Sequence, residues 1–212
     1  MNYQEKQWAG KFGSDYIYRN PFGTNEMDEL YSRYGITRTK LNKEFLKGIS
    51  RKSKVLEVGC SVGTQLALLQ QIGFKNLYGI EINRDAVELS KKYRKNIDII
   101  QGSVLNLPFK DNSFDLVFAS GVLMHIDPKN LKKAMGEMYR VSKKHIWGFD
   151  YYSPEPQEIE YWRKSHLVWK ADYPKIFLKY YPKLKLIKER KMNYFGKVST
   201  MYLIDIMYLL EK

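Results

Sequence analysis

Residues 55–70 read VLEVGCSVGTQLALLQ. A short apolar strand carries one carboxylate, Glu57, and runs into two glycines, Gly59 and Gly63; TQLALLQ then has the apolar spacing of a helix. Glycine at such a bend admits positive φ and close approach of a ligand to the backbone. The N–H groups that open the following helix, around Thr64 and Gln65, face outward and suit an anionic or polar ligand. The stretch therefore reads as a strand–turn–helix nucleotide cradle.

Outward from it, strands and helices alternate. NLYGIEI (76–82) reads as a strand ending at Glu81, residues 85–95 as a helix, IDIIQG (97–102) and SFDLVFAS (113–120) as strands. Residues 128–142 form a helical pattern with Pro128 at its start, where the missing N–H costs little; KHIWGFDYY (144–152) is another strand. Upstream, TRTKLNKEFLKGI (37–49) places Leu41, Phe45, Leu46 and Ile49 on one helical face. Alternation of this kind implies a parallel sheet with helices on both faces. The end differs: KLKLIKERKMNYF (183–195) and TMYLIDIMYLLEK (200–212) are separated by only Gly196 to Ser199, too short for a parallel crossover. The expected fold is α/β and Rossmann-like, a seven-stranded mixed sheet closed by an antiparallel C-terminal hairpin.

A length of 212 residues suits one domain, 1–212, with an N-terminal aromatic lid segment at 1–35 and a substrate-side insertion at 151–181. The single cysteine, Cys60, excludes an internal disulfide and points to a reducing cytoplasm. The N-terminus lacks the apolar segment of a signal peptide, and no apolar run approaches the ~18 residues of a spanning helix. Three histidines and one cysteine show no metal-ligand spacing, so no metal is expected. The net charge is +13, but the lysines are spread along the chain, as in RKSK and KKYRK, and read as solvated faces. A nucleic-acid binder wants a localised basic stripe. A small anionic or sugar-nucleotide substrate fits the charge, and the chain is expected as a monomer or homodimer.

Two nucleotide readings compete at the loop. A dinucleotide dehydrogenase wants G-x-G-x-x-G, whose third glycine brings helix and strand together; no glycine stands at Thr64, Gln65 or Leu66. Instead Glu57 precedes Gly59, and Glu81 ends the next strand about twenty residues on, where a carboxylate reaches both hydroxyls of a ribose. Glu57-Val58-Gly59-Cys60-Ser61-Val62-Gly63 resembles the first motif of the class I methyltransferases, which bind S-adenosylmethionine. QGSVLNLPFKDNSFDLVFASGVLMHI is similar to their adenine-binding loop and fourth strand, and the terminal hairpin to their reversed last strand. The resemblance implies cofactor contacts from Glu57, Gly59, Cys60, Ser61 and Gly63, from Glu81 and Ile82, from Ser103 and Val104 beside the adenine, and from Ser120. Many members carry an aspartate after the third strand; this chain has Gly102-Ser103-Val104, so the adenine amino group is expected to fall to the Ser103 hydroxyl.

EKQWAGKFGSDYIYRN (5–20), GVLMHIDPKNL and YYSPEP are similar to methylases associated with pseudaminic acid biosynthesis, a likeness that spans nearly the whole chain. It implies a methyl acceptor that is a small anionic molecule of bacterial surface-glycan or capsule pathways, an activated sugar or a nucleotide-linked phosphoramidate. RNA or protein methylation, and cofactor binding without turnover beside a partner enzyme, are the alternatives.

The acceptor should lie beyond the carboxyl ends of the strands. His125 is the candidate general base, since neutral imidazole takes a proton near pH 7. Tyr16, Arg19 and Asn20 from the lid, Tyr151 and Tyr152 after the fifth strand, and Arg163 and His166 from the insertion are the candidate acceptor contacts, the arginines to neutralise phosphates.

Overall fold

The structure, a computed structural model, describes residues 1–20, 22–193 and 204–212. The first five strands are β1 (Lys54–Val58), β2 (Asn76–Glu81), β3 (Asp98–Gln101), β4 (Phe114–Ser120) and β5 (Ser142–Tyr152), all mutually parallel, with helices in every connection but the loop from β3 to β4. A two-stranded ribbon follows, β6 (Gln157–Tyr161) and β7 (Lys164–Lys170), and the last strands are β8 (Lys185–Asn193) and β9 (Ile204–Glu211). The main sheet has the order β3-β2-β1-β4-β5-β9-β8, with β9 antiparallel to both neighbours. The expected seven-stranded mixed sheet and its terminal antiparallel pair are present; the turn at 196–199 lies outside the described residues.

Side chains alternate across the pleat, and both faces are covered. Val55, Leu116, Phe118, Trp147, Met207 and Leu209 pack with Leu41 and Phe45 of α4 (Arg38–Phe45) and Leu66 and Leu69 of α5 (Thr64–Gln71). Leu56, Val58, Val117, Ile146, Ile206 and Tyr208 pack on the opposite face against α7 (Pro128–Val141) and α8 (Tyr173–Tyr180). β8 closes the edge with seven successive exposed residues, lysine-rich, which discourages further strand pairing.

The strand order reverses between β1 and β4, and that switch point opens a crevice at the carboxyl ends of the strands. Two pieces cover it. The expected aromatic segment folds as α1 (Tyr3–Ala9) and α2 (Lys11–Arg19), followed by α3 (Thr24–Tyr31). The insertion supplies the β6–β7 ribbon. Between them, the Asn83 side-chain amide, at the start of α6 (Arg84–Tyr93), faces the Trp8 carbonyl at 3.0 Å, the Gly10 carbonyl at 3.3 Å and the Ser14 hydroxyl at 3.2 Å. Gln4 Nε2 donates to the His166 carbonyl at 3.0 Å, and Lys164 Nζ to Gln7 Oε1 at 3.0 Å, so α1 is tied to the ribbon as well.

Candidate active site

A cavity of about 370 Å³ lies under these covering elements. Its floor is the glycine loop. Gly59 has φ +67, and a Cβ there would stand 2.7 Å from a Val122 methyl, so the position needs glycine twice over. The N–H groups of Gly59 and Cys60 both donate to the Ile80 carbonyl, at 2.8 and 3.1 Å, which fastens the loop to β2. Ser61, also at positive φ, donates its N–H to Glu81 Oε2 at 2.7 Å, while Glu81 Oε1 accepts the Asn83 N–H at 2.8 Å. Glu81 thus holds the loop and the start of α6 together and keeps further lone pairs for the cavity. Burial lifts its carboxyl above the ordinary value, against the pull of the Asn83, Ser61 and Ile82 N–H groups. Glu57, 2% exposed, is pushed up by burial more strongly, with the Arg38 guanidinium opposing.

Glu57, Gly59, Cys60, Ser61, Glu81, Ile82, Ser103, Val104 and Ser120 all line the cavity, as do Tyr16, Arg19, Asn20, His125 and Tyr151. Four expected residues are not among its lining. Gly63 caps α5 at φ +74 and faces away, where a Cβ would stand 2.7 Å from Ile99 Cδ1; its part is to shape the loop. The Tyr152 hydroxyl accepts from Lys191 Nζ at 2.9 Å, a contact to β8 outside the cavity. Trp162 and Arg163 both take positive φ at the ribbon turn, and Arg163 is exposed. The side chain of His166 is 71% exposed, with Nδ1 3.2 Å from Glu158.

The Ser103 hydroxyl is also differently employed. It donates to Glu5 Oε1 at 2.6 Å and accepts the Leu105 N–H at 3.1 Å. The only signal for Glu5 in the sequence is Asn2-x-x-Glu5, which has the form of a capping box, and the structure forms it. Asp150, in the segment at the end of β5 expected at the acceptor, and Asp205 of β9 bring two further acids: both are buried and line the cavity, Asp150 Oδ1 accepting the Met124 N–H at 3.2 Å and Asp205 accepting the Tyr34 hydroxyl.

His125 sits where α1 meets the β6–β7 ribbon. Its Nδ1 is 2.9 Å from the Leu167 carbonyl. A carbonyl only accepts, so Nδ1 carries the proton and Nε2 the free lone pair. The ring packs against Trp8 at 4.4 Å and Tyr161 at 5.5 Å. Burial lowers its pKa to about 4, partly offset by the Leu167 carbonyl. The folded imidazole therefore stays neutral down to that pH, whereas the unfolded chain protonates near 6.5. Between the two values the unfolded state binds more protons, so this contribution to stability is complete above pH 6.5 and is lost as pH falls toward 4. Its full size is about 3 kcal/mol. In denaturant titrations from pH 7 to 4, His125→Phe should lose correspondingly less stability than the wild type. The buried carboxyls act in the opposite sense but are common to both proteins and cancel in the difference; identical slopes would refute the assignment.

Four acceptors around the cavity are buried and have no hydrogen-bond partner among the described residues: Glu57 Oε2, Gln65 Oε1, His125 Nε2 and Asp150 Oδ2. Unmade bonds of this kind are costly, and they ask for a ligand rich in donors and positive charge. Among the described residues no group of three or more His, Cys, Asp or Glu is placed to hold a metal ion.

Comparison with known proteins agrees with that demand. Residues 56–145 match the family described as "Methyltransferase domain". Over 102 residues the chain is 32% identical to a sterol 24-C-methyltransferase of Schizosaccharomyces pombe, covering 45% of this chain and 26% of that protein. Over 90 residues it is 34% identical to a demethylmenaquinone methyltransferase of Renibacterium salmoninarum, covering 42% and 37%. The chain thus spans well under half the length of these curated relatives. The fold is shared with a SAM-dependent methyltransferase from Methanosarcina mazei, at 15% identity and a TM-score of 0.64, covering 78% of this chain and 95% of that one. The ammonium and sulfonium of S-adenosylmethionine are a donor and a positive charge of the kind those orphaned acceptors ask for. Residues 56–145 thus match a methyltransferase-domain family, on a fold that the Methanosarcina mazei SAM-dependent methyltransferase shares.

Proposed function

We propose that the protein transfers a methyl group to a small anionic acceptor, an activated sugar or nucleotide-linked phosphoramidate of bacterial surface-glycan or capsule biosynthesis, and that residues 1–212 act as one domain in the cytoplasm. When bound, S-adenosylmethionine supplies a methyl group made electrophilic by its sulfonium. Glu81 would hold the ribose hydroxyls with the lone pairs left beside the Ser61 and Asn83 N–H groups, and Glu57, whose Oε2 has no partner among the described residues, the ammonium group. Tyr16 and Asn20 would close over the cofactor from α2 and its end. Toward the acceptor, His125 Nε2 takes the proton of a hydroxyl as its oxygen is methylated, and the Leu167 carbonyl keeps the ring in the tautomer that can do so. Arg19 and Arg33, both lining the cavity, would neutralise the acceptor's phosphates. Tyr151 completes the wall after β5.

The observation that carries this reading is the buried, unpartnered set of acceptors beneath α1, α2 and the β6–β7 ribbon. The same cover favours a small acceptor over RNA or a folded protein, because His125 is 6% exposed and a polymer must reach it. Incubation with methyl-labelled S-adenosylmethionine and separate panels of sugar nucleotides, phosphoramidates and RNA, read by mass, tests it. Methylation of a sugar nucleotide or phosphoramidate is expected. Methylation of RNA alone, or cofactor binding with no acceptor turned over, would refute it.

A further inference from the structure

We propose that Glu5, on the N-terminal helix, accepts the adenine amino group of the cofactor, so that the element covering the site is also part of the nucleobase pocket. The inference rests on the function proposed above and on the expectation, from the family resemblance, that the adenine lies beside Ser103 and Val104, both of which line the cavity. The segment that follows β3, Gln101-Gly102-Ser103-Val104-Leu105, carries no carboxylate. An exocyclic amino group is a donor and needs an acceptor there. The Ser103 hydroxyl has given its proton to Glu5 Oε1 at 2.6 Å and one lone pair to the Leu105 N–H. Glu5 is the stronger acceptor left at that place. Its carboxylate has about four lone-pair sites, of which the Ser103 hydroxyl takes one and the Asn2 N–H, at 2.9 Å, takes another. Hydrogen bonds to an ionised acceptor are roughly twice as strong as those to a neutral one.

Glu5 is also held in position. It is the third helical residue of α1, in a reciprocal capping box with Asn2, whose Oδ1 accepts the Glu5 N–H at 2.9 Å. The next ties, Gln4 to the His166 carbonyl and Asn83 to the Trp8 carbonyl, fix α1 against the ribbon and against the strand end that carries Glu81. Glu5, Ser103 and Glu81 all line one cavity. Base recognition and closure of α1 over the site are then the same event, and the residue that reads the base lies 98 positions from the strand end it complements.

The test compares S-adenosylhomocysteine with S-inosylhomocysteine, in which the amino group is replaced by a carbonyl that a carboxylate repels. By calorimetry the wild type should prefer the adenine compound by about 30-fold or more. Glu5→Gln keeps a capping box, since glutamine serves at that position, and offers an amide N–H to the carbonyl. Its preference should collapse to within about threefold, through weaker binding of the adenine compound and tighter binding of the hypoxanthine one, with the melting temperature little changed. Ser103→Ala should keep most of the preference. An undiminished preference in Glu5→Gln would overturn the role of Glu5 while leaving the cofactor site intact. Failure of the wild type to bind either compound would overturn the reading of the site itself.

Discussion

Replacing Glu81 by alanine is expected to weaken S-adenosylhomocysteine binding by about 100-fold or more. The carboxylate already accepts the N–H groups of Ser61 and Asn83, and its remaining lone pairs face the cavity. Two ribose hydroxyls bonded to a charged, buried acceptor are worth about 1.5–3 kcal/mol each, so losing both costs about 3–6 kcal/mol. The substitution also strands the two N–H groups, which loosens the Ser61 bend, a residue at positive φ that only the closed loop holds. Glu81→Gln keeps one oxygen and the volume but sets an amide N–H against one of the backbone donors, and should fall between wild type and alanine. Calorimetry measures the affinities, and a thermal melt establishes that each variant is folded. Affinity within threefold of the wild type in folded Glu81→Ala would remove Glu81 from the ribose.

Glu57, Gly59 and Glu81 were legible because a strand, a turn and a helix are local in sequence, and each residue's place follows from its distance to a strand end. The hairpin was legible for the same reason, since four residues between two apolar runs leave only antiparallel pairing. What the sequence could not show is long-range. Glu5 meets Ser103 across 98 positions, and Gln4 meets the His166 carbonyl across 162. Both His125, the candidate base, and His166, a candidate acceptor contact, are expected at the acceptor, yet positive φ at Trp162, Arg163 and His166 turns the ribbon so that the His166 ring points to solvent, while the backbone of its neighbour Leu167 holds His125. Arg38 is the clearest failure of periodicity. Its helix shows an apolar face at Leu41 and Phe45, and a charged residue beside them suggests a solvated edge; instead the guanidinium is fully buried over Phe149, Trp147 and Tyr31, satisfied by Tyr31, Asn42 and Ser120. Nothing short of the assembled sheet puts those partners in one place.

His125→Ala separates the two chemistries open to the acceptor. If the methylated atom is a hydroxyl oxygen, its proton must leave as the new C–O bond forms, and His125 Nε2 is a buried lone pair at the cavity with no donor of its own. A positioned base contributes about 10²–10⁴ in rate, so turnover should fall about 100-fold while S-adenosylhomocysteine affinity holds. Because burial has lowered the imidazole pKa to about 4, the wild-type base stays unprotonated well below pH 6.5. The acid limb of its kcat profile should therefore lie below the usual histidine range, and in His125→Ala that limb should vanish. An acceptor that is already an anionic phosphoramidate oxygen needs no proton removed; the same substitution would then cost only a few-fold, with the pH profile unaltered. The two outcomes differ by more than an order of magnitude, so one variant, assayed from pH 3.5 to 8, tells an alcohol acceptor from an anionic one and tests the base assignment at the same time.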